Sequence, residues 1–105
     1  MEKPTAAITV TRTAAEDVKV RQIYLSIDGT SVAELLYGQT FTTRVEPGTH
    51  QLRANNTLVW KTIRCDLQPD DHAHFSVVNR PGPGTYALLG LLGTGPIYLT
   101  FERTR

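Results

Sequence analysis

The chain has little to spare for covalent or redox devices. Its 105 residues include one cysteine, Cys65, so no intrachain disulfide can form. Neither sign of charge dominates, since eleven Lys and Arg stand against ten Asp and Glu. These charges are scattered, with no basic block, and the balance gives no long-range field to attract nucleic acid or anionic lipid. No nucleic-acid partner is expected. Long apolar runs are also missing: the longest near the C-terminus, Ala87 to Leu92, includes a glycine, whereas a membrane span needs about 20 apolar residues. Membrane insertion is therefore not expected. The opening MEKPTAAITVTR lacks the apolar stretch of a secretory signal, which makes the cytoplasm the expected location. Ser26, Ser31 and Ser76 lie in no G-x-S-x-G context. No carboxylate pair has the apolar surround that tunes an acid catalyst. The chain reads as a non-enzymatic protein with no cofactor.

What is present is alternation. Ile8 and Val10 alternate with Thr9 and Thr11, and Ile23, Leu25 and Ile27 alternate with Tyr24 and Ser26. Such a period of two marks half-buried strands. Asp28-Gly29 predicts a tight hairpin turn, because glycine supplies the positive φ that the turn requires. The returning strand is expected over Val32 to Tyr37, with a further turn at Gly38. Glu46-Pro47-Gly48-Thr49 has a type II turn signature, and Asn55-Asn56 predicts another reversal. Val59, Ile63, Cys65 and Leu67 share one phase, with Trp60, Thr62, Arg64 and Asp66 in the other. Ala73, Phe75 and Val77 likewise oppose His72, His74 and Ser76, and Ile97, Leu99 and Phe101 share the inward phase of the last strand. Strands with turn signals at intervals of about ten residues predict an all-β, antiparallel β-sandwich of about seven or eight strands. One domain over residues 1–105 is expected, near the commonest domain size. One short helical turn is expected near residues 86–92, where Leu88, Leu89, Leu91 and Leu92 have i, i+3 and i, i+4 spacing.

Ile27-Asp28-Gly29 followed by Val45-Glu46-Pro47-Gly48-Thr49-His50-Gln51-Leu52 resembles a PEGA-like β domain, over roughly residues 20–80. The resemblance extends to transthyretin-like and carboxypeptidase-regulatory-like sandwiches. It implies an accessory or interaction module and a structural role for His50, and it carries no chemistry. The tail from Pro81 to Arg105 has no counterpart in it.

Four groups of residues are candidates for function. Leu88, Leu89, Leu91 and Leu92 either cap the core or form an exposed patch that contacts a protein partner or a second copy. Gly90, Gly93 and Gly95 reverse the dinucleotide fingerprint, but the strand–turn–helix context and any nearby cation are lacking. Trp60, Tyr24 and Tyr98 fall out of phase with their apolar faces. They offer an aromatic shelf for a carbohydrate or small ligand; the plainer reading has Trp60 covering a sheet edge. His72 and His74, spaced i, i+2, point two imidazoles to one face as a metal site does, though a closed site needs further ligands. Cys65 is expected in the core as a small hydrophobe. The function expected is that of a binding or structural module acting through protein contacts, with carbohydrate or small-ligand binding as the alternative.

Overall fold

The computed structural model describes residues 3–19, 21–81 and 97–105. Eight strands are present: β1 (Ala6–Thr11), β2 (Ile23–Ile27), β3 (Thr30–Leu35), β4 (Thr40–Val45), β5 (Gly48–Asn55), β6 (Trp60–Leu67), β7 (His72–Pro81) and β8 (Ile97–Arg103). They form two four-stranded sheets in the orders β4-β1-β7-β8 and β3-β2-β5-β6, and the described residues contain no helix. The expected all-β sandwich is what forms. The inward phases also match: Ile8, Val10, Ala73, Phe75, Val77, Leu99 and Phe101 of one sheet meet Ile23, Leu25, Leu52, Ala54, Cys65 and Leu67 of the other. Phe75 and Phe101 lie tilted at 5.7 Å between ring centroids, a favourable aromatic geometry. The helical turn expected near residues 86–92 falls outside the described residues.

Local signals fixed the turns more faithfully than the pairings. Asp28 and Gly29 both hold positive φ, 51° and 83°, and Ile27 pairs with Thr30 across them. This two-residue turn has the twist that suits a hairpin. It starts β3 two residues earlier than expected and ends it at Leu35. Residues 36–39 then cross to the other sheet, with Gly38 at φ 91° and the Leu36 amide donating to Gln39 Oε1 at 2.8 Å. Pro47-Gly48 likewise joins strands of different sheets, so its turn signature serves an arch instead of a hairpin.

One pairing departs from the antiparallel expectation. β1 lies between β4, antiparallel, and β7, parallel. No local turn can specify a parallel pair, because its strands require a long crossover. Here that crossover passes through the entire second sheet.

The register gives the sandwich two distinct poles. Odd-numbered strands run towards one pole and even-numbered strands run away from it. At the first pole, which we call the network pole, β1, β3, β5 and β7 end. Buried inside it are Arg12, Asp17, Asn56 and Asn79. Arg12 Nε and Nη2 donate to the two oxygens of Asp17 at 3.0 and 2.9 Å. Its Nη1 donates to the Leu35 carbonyl at 2.7 Å. Asn56 Nδ2 donates to Asn79 Oδ1 at 3.0 Å, and Asn79 Nδ2 donates to the Arg21 carbonyl at 3.0 Å. The opposite pole is closed by short turns and surface hydrogen bonds.

Candidate functional site

The outer face of the β3-β2-β5-β6 sheet brings together side chains from four strands in rows set by register. In the row nearest the network pole, Tyr24 lies opposite Glu34 on one side and Asn55 on the other, and Asn55 lies opposite Trp60. Two strand spacings therefore separate Tyr24 from Trp60, roughly 10 Å. Trp60 is 62% exposed and Tyr24 37%. An indole that open is unusual, since tryptophan is highly buried on average. The next row holds Ser26, Arg53 and Thr62, with Arg53 Nε donating to Thr62 Oγ1 at 3.2 Å.

Shallow recesses mark this face. One, about 270 Å³, is lined by Tyr24, Ser26, Ser31, Arg53 and Asn55 among others. Another, about 450 Å³, is lined by Asp28, Thr49, Gln51, Thr62 and Arg64. Both offer hydroxyls, amides and guanidinium groups.

The turn next to Trp60 is tightly held. Thr57 has φ 76°, a left-handed conformation that β-branched residues rarely adopt. Its amide donates to Asn55 Oδ1 at 2.6 Å, and its hydroxyl accepts from Arg21 Nη1 at 2.6 Å. Asn56 Oδ1 accepts from the amides of Leu58 and Val59 at 3.0 and 2.8 Å. The Asn55-Asn56 reversal is thus built by both asparagine side chains, one of which also anchors the network pole.

Other sequence candidates lie elsewhere. Tyr98 is exposed on the outer face of the β4-β1-β7-β8 sheet, opposite Arg80, so the three aromatics do not form one shelf. His72 and His74 share that outer face, with ring centroids stacked at 4.2 Å. His72 Nε2 lies 2.6 Å from Thr9 Oγ1. Desolvation, then the charges of Arg105 and His72, hold His74 below the usual imidazole value. Among the described residues no third His, Cys, Asp or Glu joins them in a group able to hold a metal ion. Cys65 is 2% exposed, and burial pushes its thiol up, as its apolar phase predicts. Leu88, Leu89, Leu91 and Leu92 lie outside the described residues.

His50 does more than follow a turn. Its Nδ1 lies 2.7 Å from Asp28 Oδ2 and its Nε2 lies 2.6 Å from the Glu46 carbonyl. Both ring nitrogens face acceptors, which calls for a hydrogen on each and so favours the imidazolium. The Glu46 carbonyl and the Asp28 carboxylate hold His50 above its ordinary value. The Gln51 amide, with His50, holds Asp28 below its own. This latch ties the β2–β3 turn to the β4–β5 arch.

Sequence reading missed the network of Arg12, Asp17, Asn56 and Asn79. A buried arginine looks like any other charged residue in sequence. Only the five-residue offset between Arg12 and Asp17 in a strand-ending loop hints at pairing. Among the described residues no helix is long and apolar enough to cross a membrane. Comparison with protein-family models, curated proteins and solved structures gave no match to this chain.

Proposed function

We propose that the protein is a non-enzymatic binding module that engages a protein partner through the outer face of its β3-β2-β5-β6 sheet. The observation that carries this reading is the row Tyr24, Asn55, Trp60, with the indole mostly in solvent. Tryptophan, tyrosine and arginine dominate the energetics of protein interfaces, and Arg53 stands in the adjoining row. The strained, doubly bonded turn beside Trp60 supports the reading, since a pre-ordered anchor loses less entropy on binding. The PEGA-like resemblance of residues 20–80 favours the same class of role. Leu88, Leu89, Leu91 and Leu92, the other partner-binding residues expected from sequence, contribute no geometry to it. Several reactive groups are occupied: Cys65 is buried, His50 is bonded at both nitrogens and His72 is bonded to Thr9. We place the protein in the cytoplasm, a compartment that suits a lone thiol.

A photoreactive benzoylphenylalanine at position 24 or 60 tests this in the cell that makes the protein. Discrete protein adducts are expected from both positions and none from position 42, on the other sheet. Adducts that are absent, or the same from all three positions, overturn the reading. The recess beside Tyr24 favours a second one, a carbohydrate ligand, because Ser26, Ser31, Arg53 and Asn55 surround it with hydrogen-bonding groups. A saturable change in Trp60 fluorescence with one glycan of a panel is its expected sign.

A further inference from the structure

Tyr24, Leu36, Leu58, Trp60 and Tyr98 are the exposed large hydrophobic side chains among the described residues. They come from β2, the β3–β4 crossing, the β5–β6 turn, β6 and β8. The strand directions put every one of them at the network pole. Tyr24 and Trp60 stand on one outer face, Tyr98 on the opposite face, and the two leucines on the loops. They form a collar around an end, where a flat protein contact would show a patch on a side.

Within the near-neutral total charge, the network pole carries a small excess of cations. Lys19, Arg21, Lys61 and Arg80 lie at the network pole, where the exposed carboxylates are Glu16, paired with Arg80 at 3.2 Å, and Glu34. At the opposite pole Asp28, Glu46, Asp66, Asp70, Asp71 and Glu102 stand among Lys3, Arg44, Arg64, Arg103 and Arg105. The loops bearing the collar are fixed from within, because Arg12, Asp17, Asn56 and Asn79 bond them to one another.

We propose that the network pole seats end-on against an anionic lipid bilayer, with the aromatic and leucine collar in the headgroup layer and the four cations beside lipid phosphates. Tryptophan and tyrosine favour that interfacial depth, and lysine and arginine near an anionic leaflet add an electrostatic attraction. The seating is peripheral, because each collar residue is a single side chain on a loop or strand start. A protein held on one sheet face accounts for Tyr24 and Trp60 but leaves Tyr98 on the far side. The inference goes beyond the proposed protein contact and shares those two side chains with it.

Trp60 is the chain's one tryptophan, so its emission reads the pole directly. The full-length protein is mixed with phosphatidylcholine vesicles, plain or containing about 30% phosphatidylglycerol. Flotation and a blue shift are expected with the anionic vesicles, weakened by salt and much smaller with the plain ones. Trp60→Ser with Tyr98→Ser, and separately Arg21→Glu with Lys61→Glu, each lower flotation by about tenfold. Lys3→Gln with Arg44→Gln at the opposite pole leaves it unchanged, and circular dichroism checks that each variant is folded. Absence of flotation overturns the proposal, as does flotation without an emission shift or flotation that the pole variants do not reduce. Crosslinks from positions 24 and 60 to a protein, without vesicle binding, overturn this inference alone. Vesicle binding without those crosslinks overturns the protein contact alone.

Discussion

The two poles of this sandwich solve the same problem with opposite means. At the opposite pole, turns of a few residues reverse the chain, and their polar groups meet near solvent: Asp28 with His50, and the Gln68 amide with Asp71. At the network pole, residues 12–22 must carry the chain from β1 to the other sheet. A connection of that length leaves carbonyls to be satisfied from elsewhere, and the buried Arg12 and Asn79 side chains donate to those of Val18 and Arg21. Among the described residues no buried side-chain nitrogen or oxygen lacks a partner. The opposite pole keeps its polar groups near solvent, and the network pole buries its own, Asn56 of a short turn included. The outside of the network pole also carries the exposed large apolar side chains of the described residues.

The comparison is broken most severely at Arg12. Asp17→Ala strands a buried guanidinium, and removing one partner of such a pair costs about 3–5 kcal/mol. The expected outcome in urea denaturation is a large fall in midpoint, and a double Arg12→Met, Asp17→Ala variant recovers part of it. An equally large loss from Asp28→Ala at the opposite pole would erase the distinction. Asn56→Ala comes next, at about 1–3 kcal/mol, because it leaves Asn79 Oδ1 and two turn amides without their partner. Thiol labelling sharpens the picture between the poles. Cys65 should resist a thiol reagent in the native protein and react at a rate set by opening, so Asp17→Ala should accelerate it.

The smallest effect belongs to the surface latch, and it depends on pH. His50 is raised above 6.5, so its contribution is complete below that value and is lost as pH rises through its folded value. Asp28 is lowered below 3.8, so its contribution is present above that value and is lost as pH falls through its folded value. The latch is strongest between pH 3.8 and 6.5. Proton NMR should place the His50 titration above the ordinary 6.5, with Asp28→Asn moving it back down. The half-exposed Asp28 carboxylate keeps the stability change below that of Asn56→Ala.

Strand positions and facing were legible because they are local. Ile8 with Val10, Ile63 with Cys65, and Leu99 with Phe101 each declare a buried face through a period of two. Asp28-Gly29 declares its turn through the one conformation it favours. The exposure of Trp60 followed from phase in the same way. What sequence did not disclose depends on distant residues meeting. The parallel β1–β7 pair, the Arg12 to Asn79 network and the gathering of Leu36, Leu58 and Tyr98 at one end each join remote segments. No spacing rule links them, and only the order of strands does. The separation of Tyr98 from Tyr24 and Trp60 has the same origin, since phase gives a face but not which sheet.

The position of β1 bears on how the chain is made. Of the eight strands it is made first, yet it sits inside its sheet between β4 and β7. The β3-β2-β5-β6 sheet uses partners close in sequence and can assemble from hairpins as they emerge. Ile8 and Val10 must wait for Ala73 and Phe75, leaving an apolar strand with a bare edge through most of synthesis. Chains that stop after residue 67 should therefore associate through that edge, which makes the N-terminal strand the point at which translation speed and aggregation are coupled.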